Sequence, residues 1–253
     1  MPFRHVLITG AGSGIGAGLA ALLARAGHHA IVTDVDADAA RSVAEAIARA
    51  GGSATSLQLD ITQAEQIQTA IRAAGPVDVL INNAGLQHVA RLEEFPADTW
   101  RLLVAVMLTG AADMTRAVLP GMRASGFGRI IHIGSIHCLV ASPFKSAYVA
   151  AKHGLIGFSK AIALETGDVD VTINTICPAY VRTPLVEKQI AAQARGHGLT
   201  EDLVVKEIML KPMPKKAFIT IEEIGAVAQF LISDAARNIS AQAIAIDGGW
   251  TAQ

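Results

Sequence analysis

The chain has 253 residues, of which 51% are hydrophobic and 4% aromatic, and its formal net charge is -1. This balance gives no electrostatic footprint for DNA, RNA or an anionic membrane. The two cysteines, Cys138 and Cys177, lie outside any CxxC pair or histidine-rich cluster, which argues against a metal site and a disulfide. The chain start lacks the layout of a signal peptide, and no run of about 18 apolar residues occurs. We therefore expect a cytoplasmic protein without a transmembrane helix.

Apolar segments of strand length alternate with helical patterns along the chain. The strand-like segments are residues 3–9, 30–33, 54–59, 77–81, 129–133, 171–176 and 243–246. Strands that alternate with helices imply right-handed crossovers and a mostly parallel sheet, and strands that are apolar on both faces need helices on both sides. The sequence therefore predicts one doubly wound α/β domain over residues 1–253, with a seven-stranded sheet.

A glycine-rich turn, Thr9-Gly10-Ala11-Gly12-Ser13-Gly14-Ile15-Gly16, joins the first predicted strand to the first predicted helix. Glycines let a pyrophosphate approach the backbone, and the helix start offers free N–H groups and a positive dipole end. A glycine pattern alone is weak evidence, but this one lies where a Rossmann dinucleotide site needs it. The candidate cofactor-binding residues here are Gly10, Ser13, Gly14, Ile15 and Gly16.

An acidic residue, Asp34, ends the second predicted strand about 20 residues beyond the glycines, where a carboxylate can bind the adenosine ribose hydroxyls. It would repel a 2′-phosphate, and Val35 and Asp36 follow it rather than an arginine. These residues predict NAD rather than NADP as the cofactor. The alternative role for Asp34 is to cap the helix that begins at Ala37.

Two further polar segments, Asp60-Ile61 and Asn83-Ala84-Gly85, follow the third and fourth predicted strands. Ligands of open α/β sheets bind at the carboxyl ends of the strands, so both segments are candidates for cofactor binding. The alternative is simple turn chemistry, because Asn and Gly favour turns.

Three residues form the candidate catalytic group. Ser135 follows a predicted strand, and Tyr148 and Lys152 are four residues apart in a stretch from 146 to 160 that has a helical pattern, so they share a helix face. A phenol has a reference pKa of about 10, and a nearby ammonium and a positive nicotinamide ring would favour the phenolate. The phenolate could then take an alcohol proton while Ser135 holds the substrate oxygen. A Tyr–Lys pair alone is more often part of an amphipathic helix.

A long connection, residues 183–214, lies between a predicted strand and a predicted helix and contains Pro184, Gly196, Gly198, Pro212 and Pro214. A short connection would be normal here, so we interpret the segment as a mobile lid over a site. The alternative is a surface excursion without function.

Four polar residues lie near the candidate catalytic group in sequence: Gln87, His137, Lys145 and Gln189. A lysine, a histidine and two amides could bind a substrate carboxylate through charge-assisted hydrogen bonds. The alternatives are a solvated surface lysine, a loop histidine and exposed glutamines. Composition and spacing do not choose between these roles.

The order of these motifs resembles the short-chain dehydrogenase/reductase family over essentially the whole chain. The matching residues are Thr9-Gly10, Gly14, Gly16, Asn83-Ala84-Gly85, Ser135, Tyr148, Lys152, Pro178 and Asp247-Gly248-Gly249. The resemblance implies an NAD-linked oxidoreductase that is a homotetramer, with Pro178 and Val181 near the cofactor. It also implies that Thr183 begins the substrate lid and helps to hold the nicotinamide carboxamide.

One position departs from this resemblance. Many members of the family carry an asparagine that bends the helix after Trp100 and holds a proton-relay water, whereas this chain has Val106-Met107-Leu108. A methionine thioether is no donor and only a weak acceptor. We expect backbone and water to manage without the amide; the alternative is a weakened relay.

The segments 83–89, 135–137, 145–148, 184–190 and 247–252 also resemble those of bacterial D-3-hydroxybutyrate dehydrogenases. That resemblance implies that Gln87, His137, Lys145 and Gln189 bind a substrate carboxylate. The implied reaction is the NAD-dependent oxidation of (R)-3-hydroxybutyrate to acetoacetate. Two alternatives remain: a related enzyme for another hydroxy acid, sugar, acyl thioester or secondary alcohol, and a nucleotide-binding protein with little catalytic activity.

Overall fold

The computed structural model describes residues 2–252 and contains one sheet of seven parallel strands. The strands are β1 His5–Ile8, β2 His29–Asp34, β3 Ser53–Gln58, β4 Val79–Asn82, β5 Phe127–Ile133, β6 Asp170–Pro178 and β7 Ala243–Ile246. Their order is β3-β2-β1-β4-β5-β6-β7, and every neighbouring pair is parallel. The predicted fold is confirmed, and each predicted strand lies within two residues of its observed ends.

Helices cover both faces of the sheet. They are α1 Gly14–Arg25, α2 Ala37–Arg49, α3 Ala64–Ala74, α4 Ala97–Val104, α5 Gly110–Ser125, α6 Ser146–Glu165, α7 Pro184–His197, α8 Glu201–Val204 and α9 Ile221–Ile232. Alternate strand residues enter opposite layers: Ile131 packs in the layer with α1, α2 and α9, and Ile130 packs in the layer with α3, α5 and α6. Burial on both faces explains why the central strands are almost uninterrupted apolar runs.

The two edge strands are less buried than the central strands. Side chains of β3 are exposed or half-buried, and those of β7 are mostly half-buried. The expectation that strands are apolar on both faces therefore holds for the centre of the sheet and not for its edges, where helices cover less surface.

A crevice opens at the carboxyl ends of the central strands. The chain passes from β1 to its neighbour β2, whereas β4 lies on the other side of β1, so the strand order reverses there. Ligands of doubly wound sheets bind at such a point. The glycine-rich turn after β1, the segment after β4 and the loop after β5 all begin at this edge.

The helical stretch 97–125 contains an 18-residue window of mean hydropathy 1.6 and is long enough to cross a membrane. The sequence held no unbroken apolar run, but the average over this window is high despite Asp113 and Arg116. Met114, Val118 and Met122 of this stretch are buried in the layer that covers the sheet. Its apolar character is thus explained by its place in the α/β core.

Candidate active site

The glycine-rich turn packs directly against the segment that follows β4. A Cβ on Gly10, whose φ is +60°, would lie 2.7 Å from the Ala84 Cα atom, and a Cβ on Gly16 would lie 2.5 Å from the Asn83 amide nitrogen. That amide donates hydrogen bonds to the carbonyls of Thr9 and Gly10, at 2.9 and 2.8 Å. Asn83 therefore fixes the shape of the turn, which agrees with its alternative role in turn chemistry.

The start of α1 has the properties of a phosphate site. Ser13 is the N-cap but its side chain makes no capping hydrogen bond, and the first turn contains no acidic residue. The first N–H groups of a helix need partners, and the positive end of the helix dipole favours an anion. The residues present therefore fit the pyrophosphate of a dinucleotide.

Asp34 lies at the end of β2 beside the glycine-rich turn. Its carboxylate accepts hydrogen bonds from the backbone N–H groups of Gly12, at 2.9 Å, and Asp36, at 3.1 Å. Helix α2 is capped instead by Asp36, which accepts from the N–H groups of Asp38 and Ala39 at 3.0 Å. The alternative that Asp34 caps this helix is wrong. A carboxylate has about four acceptor positions, so two remain for ribose hydroxyls.

The Asp60 carboxylate has local partners. It accepts from the N–H and the hydroxyl of Thr62, at 2.9 and 2.7 Å, so it closes the turn before α3. Ile61 is buried and packs in the layer of α3 and α5. These contacts agree with the alternative role of the segment as a turn.

One cavity at the carboxyl ends of β5 and β6 brings together residues from distant segments of the chain. Its wall includes all six candidate substrate-site residues: Gln87, Ser135, His137, Lys145, Tyr148 and Gln189. The candidate cofactor residues Ile15, Pro178, Val181 and Thr183 line the same cavity. Because α7 supplies Gln189 and begins beside Thr183, the segment expected to form a lid is helical and borders this cavity.

The candidate catalytic group lies at the junction of β5 and α6. Ser135 begins a short turn after β5, and its hydroxyl accepts a hydrogen bond from the His137 N–H at 3.2 Å. Tyr148 and Lys152 share a face of α6, as the spacing predicted, with the Lys152 Nζ atom 5.7 Å from the Tyr148 ring centroid. The geometry suits a hydroxyl held between Ser135 and Tyr148.

Burial is the largest influence on the pKa values of Tyr148 and Lys152. Burial raises the pKa of Tyr148 to about 12, and a hydrogen bond with Ser135 opposes the shift. Burial also lowers the pKa of Lys152. Because burial outweighs the hydrogen bond with Ser135, Tyr148 is a phenol at neutral pH, and the expected phenolate requires additional positive charge nearby.

The candidate carboxylate-binding residues include the cation Lys145, which has no acidic partner in the described part of the chain. Within residues 2–252, the partly buried Lys145 side chain makes no ion pair or hydrogen bond, and burial lowers its pKa. The Gln87 Oε1 atom is buried without a hydrogen-bond partner in the same range. His137 Nδ1 lies 3.3 Å from the Val140 carbonyl, and burial together with Lys145 lowers the His137 pKa to about 4. Of these groups the Lys145 ammonium suits an anionic ligand, whereas the Gln87 Oε1 atom is an acceptor and suits a hydrogen-bond donor.

Sequence reasoning missed two aromatic residues of the site. Tyr180 lines the cavity, and Trp250 stacks on it with a centroid distance of 6.0 Å. The composition could have drawn attention to both residues, because the chain has only two tyrosines and two tryptophans. Tyr180 follows Pro178 closely, and Trp250 directly follows Asp247-Gly248-Gly249, so both aromatic residues adjoin matched motifs.

Met107 lies in a π-helical turn, Ala105–Thr109, between α4 and α5. Its side chain is buried and packs with Phe95, Leu103, Ala147 and Ala151. The helix therefore departs from α geometry here without an asparagine. An apolar side chain in apolar surroundings carries no proton, so any relay must use other groups.

Comparison with known proteins identifies the class. The short chain dehydrogenase family profile matches residues 4–194. Over 179 residues, 71% of this chain and 69% of each relative, the sequence is 52% identical to a D-beta-hydroxybutyrate dehydrogenase of Rhizobium meliloti (strain 1021) and 50% identical to one of Cupriavidus necator. The crystal structure of an actinorhodin polyketide ketoreductase with NADPH is 30% identical and has a TM-score of 0.93, covering 98% of this chain and 97% of that chain.

The chain belongs to the short-chain dehydrogenase family and is an oxidoreductase. Enzymes of this family use nicotinamide cofactors.

Proposed function

We propose that the protein oxidises (R)-3-hydroxybutyrate to acetoacetate with NAD, reversibly. The observation that carries this proposal is the composition of one cavity wall: Ser135 and Tyr148 suit an alcohol, and Lys145 is a cation without an acidic partner among residues 2–252. A substrate that has a hydroxyl and a carboxylate a few bonds apart satisfies both. Two similar bacterial proteins named D-beta-hydroxybutyrate dehydrogenase support the same choice.

The cofactor would be held along the carboxyl edge of the sheet. The N–H groups at the start of α1 would bind the pyrophosphate, and Asp34 would accept hydrogen bonds from the adenosine ribose. Pro178, Val181 and Thr183 line the cavity and would contact the nicotinamide end. When bound, NAD supplies the hydride acceptor and a positive charge close to the phenol.

The proton would pass from the substrate hydroxyl to Tyr148. The Ser135 hydroxyl would hold the substrate oxygen, and the Tyr148 oxygen would take the O–H proton as the same carbon gives up its hydride. Tyr148 must first be ionised, and Lys152, one helical turn away, supports the phenolate by its charge. Lys152 would also reach the ribose hydroxyls.

The opposite end of the substrate would be bound by the carboxylate clamp, which we define as Gln87, His137, Lys145 and Gln189. Lys145 supplies the charge, and the two amides supply hydrogen-bond donors. His137 donates from Nδ1 to the Val140 carbonyl when neutral, so it presents a lone pair at Nε2 unless it is protonated or changes tautomer. Lys145 therefore bears most of the attraction for the anion.

The choice of cofactor is a separate part of the proposal, because the structurally similar ketoreductase was crystallised with NADPH. Asp34 supports NAD, since its carboxylate would repel a 2′-phosphate. We further propose that the protein is a cytoplasmic homotetramer and that residues 183–214 close over the bound substrate.

The reverse reaction tests reaction and cofactor together. Purified protein is given acetoacetate with NADH or with NADPH, and the product is resolved on a chiral column. The proposal predicts (R)-3-hydroxybutyrate and a clear preference for NADH. Faster turnover with NADPH would overturn the cofactor assignment, and no reduction of acetoacetate with either cofactor would overturn the substrate assignment.

A further inference from the structure

The Lys145 ammonium has one favourable contact within residues 2–252. Its Nζ atom lies over the face of the Tyr180 ring, 5.7 Å from the centroid. An ammonium within about 6 Å of a ring centroid is attracted by the negative face of the ring, and the attraction grows when water is excluded. The lysine is partly buried and makes no ion pair or hydrogen bond within residues 2–252, so the Tyr180 ring is the group that lies where it can stabilise the ammonium.

The Tyr180 ring is in turn backed by a second aromatic residue. Trp250 stacks on Tyr180 with an interplanar angle of 28°. The indole and the His137 ring form a T-shaped pair with 6.1 Å between their centroids, and the rings of His137 and Tyr148 form another T-shaped pair, also with 6.1 Å between centroids. One continuous row of contacts thus links Lys145, at the carboxylate end, with Tyr148, at the alcohol end.

Trp250 is held by a well-bonded turn near the chain end. The Asp247 carboxylate accepts hydrogen bonds from the N–H and the hydroxyl of Thr251, at 2.8 and 2.7 Å, and from the Gly249 N–H at 2.9 Å. This turn follows β7, which pairs with β6, and β6 ends two residues before Tyr180. The pairing of two strands therefore sets the distance between the two stacked rings.

We propose that Tyr180 and Trp250 are positioning residues of the carboxylate clamp: the Tyr180 ring, backed by Trp250, holds the Lys145 ammonium where the substrate carboxylate binds. The inference rests on the proposed function for its substrate. It assigns the role to the ring and not to the phenol, because the Tyr180 hydroxyl makes no hydrogen bond within residues 2–252. Without the ring, Lys145 can turn toward solvent, and binding of the acid weakens.

The kinetic test compares Tyr180→Leu with Tyr180→Phe, which keeps the ring. We expect Tyr180→Leu to raise KM for (R)-3-hydroxybutyrate by about 2- to 30-fold, the range of a cation–π contact. Its KM for the methyl ester should change much less, and kcat for both substrates should stay near the wild-type value. Tyr180→Phe, which retains the aromatic ring, should keep the wild-type KM. Equal rises in KM for the acid and the ester in Tyr180→Leu would overturn the inference, because they would indicate a changed cavity shape and no specific effect on carboxylate binding.

A second measurement needs no substrate. Competitive acetylation with mass spectrometry reports how reactive each lysine is, and the exposed Lys160 on α6 serves as an internal control. Tyr180→Leu should change the reactivity of Lys145 and leave that of Lys160 unaltered, whereas Tyr180→Phe should change neither. Unchanged Lys145 labelling in Tyr180→Leu would overturn the positioning role. Wild-type protein that is inactive with the acid would overturn the proposed function alone, since the labelling result stands without it.

Discussion

The Lys152 ammonium donates a hydrogen bond of 2.7 Å to the carbonyl of Ile133, the last residue of β5. The bond ties α6, which carries Tyr148, to the strand that delivers Ser135. Lys152 is thus placed both to position the two hydroxyl groups and to bring charge to the phenol. Buried charged groups in a cleft are often functional for this reason.

Lys152→Met should keep the fold and lose most activity. The thioether fills a similar volume but brings neither the ammonium nor the hydrogen bond to Ile133. We expect kcat for alcohol oxidation to fall by about 100-fold or more, the scale of a lost contribution to acid–base catalysis. Steady-state rates with circular dichroism as a fold control check this. A variant with near wild-type kcat would remove Lys152 from the catalytic group.

The rate of oxidation should rise with pH. Burial raises the pKa of Tyr148 to about 12, so below that value each pH unit gives about tenfold more phenolate. Positive charge in the bound state lowers the pKa of Tyr148, so the oxidation rate should level off at the pH where Tyr148 titrates in the bound enzyme. The pH profile of kcat for the (R) acid measures this, because kcat reports groups that titrate in the bound enzyme, and Tyr148→Phe serves as the inactive control. A rate that falls between pH 6 and 9 would contradict Tyr148 as the base.

Lys145→Ala should discriminate between a charged and a neutral substrate. Without the ammonium, KM for (R)-3-hydroxybutyrate should rise strongly, while KM for its methyl ester should change little. The matched control is Lys160→Ala, which removes an exposed lysine from α6. Equal losses on acid and ester would remove Lys145 from the carboxylate clamp.

The charge of Lys145 also predicts a pH effect of opposite direction on binding. Burial lowers the pKa of Lys145 from its ordinary value of 10.5, so the ammonium is lost at a lower pH than in a free lysine. KM for the acid should therefore rise toward alkaline pH, and KM for the ester should not.

Asp34→Ala should shift the cofactor preference toward NADP, because the repulsion of a 2′-phosphate is gone. It also removes the acceptor for the Gly12 N–H, so KM for NAD should rise. Asp36→Ala is a suitable control, since it removes the cap of α2 at a cost of about 1 kcal/mol of stability and leaves the preference intact. An unaltered NAD/NADP ratio in Asp34→Ala would refute the ribose role.

Met107→Asn should not create a faster enzyme. The amide would enter the apolar cluster around Met107, and an amide buried without partners costs about 1–3 kcal/mol in proteins. We expect a lower melting temperature and a turnover within a few-fold of wild type. A large gain in turnover would reveal a proton relay that is weakened in the natural chain.

The fold was predictable because its determinants are local. Each central strand is an apolar run bounded by turn residues, and Gly10 and Asn83 mark the ends of two strands that meet at one edge. Ser135 was predictable because it follows an apolar strand, and the shared face of Tyr148 and Lys152 followed from their spacing of four residues in a helix.

The parts that escaped prediction depend on long-range contacts or on burial. Trp250 contacts Tyr180 because β6 and β7 pair, and the distance between the two residues along the sequence does not predict that contact. Asp36 and not Asp34 caps α2, because Asp36 is the residue directly before the helix and its side chain accepts from the N–H groups of Asp38 and Ala39. The pKa of Tyr148 is raised by desolvation, and the sequence, which shows only a lysine four residues away, does not report how deeply the phenol is buried.

The most direct test of the central claim is NADH formation by the purified protein with NAD and (R)-3-hydroxybutyrate, with the (S) isomer and the neutral methyl ester measured beside it. We expect strong activity on the (R) acid and little on the other two. Activity that ignores the carboxylate, or that favours the (S) isomer, would contradict it, as would the absence of NADH formation from the (R) acid.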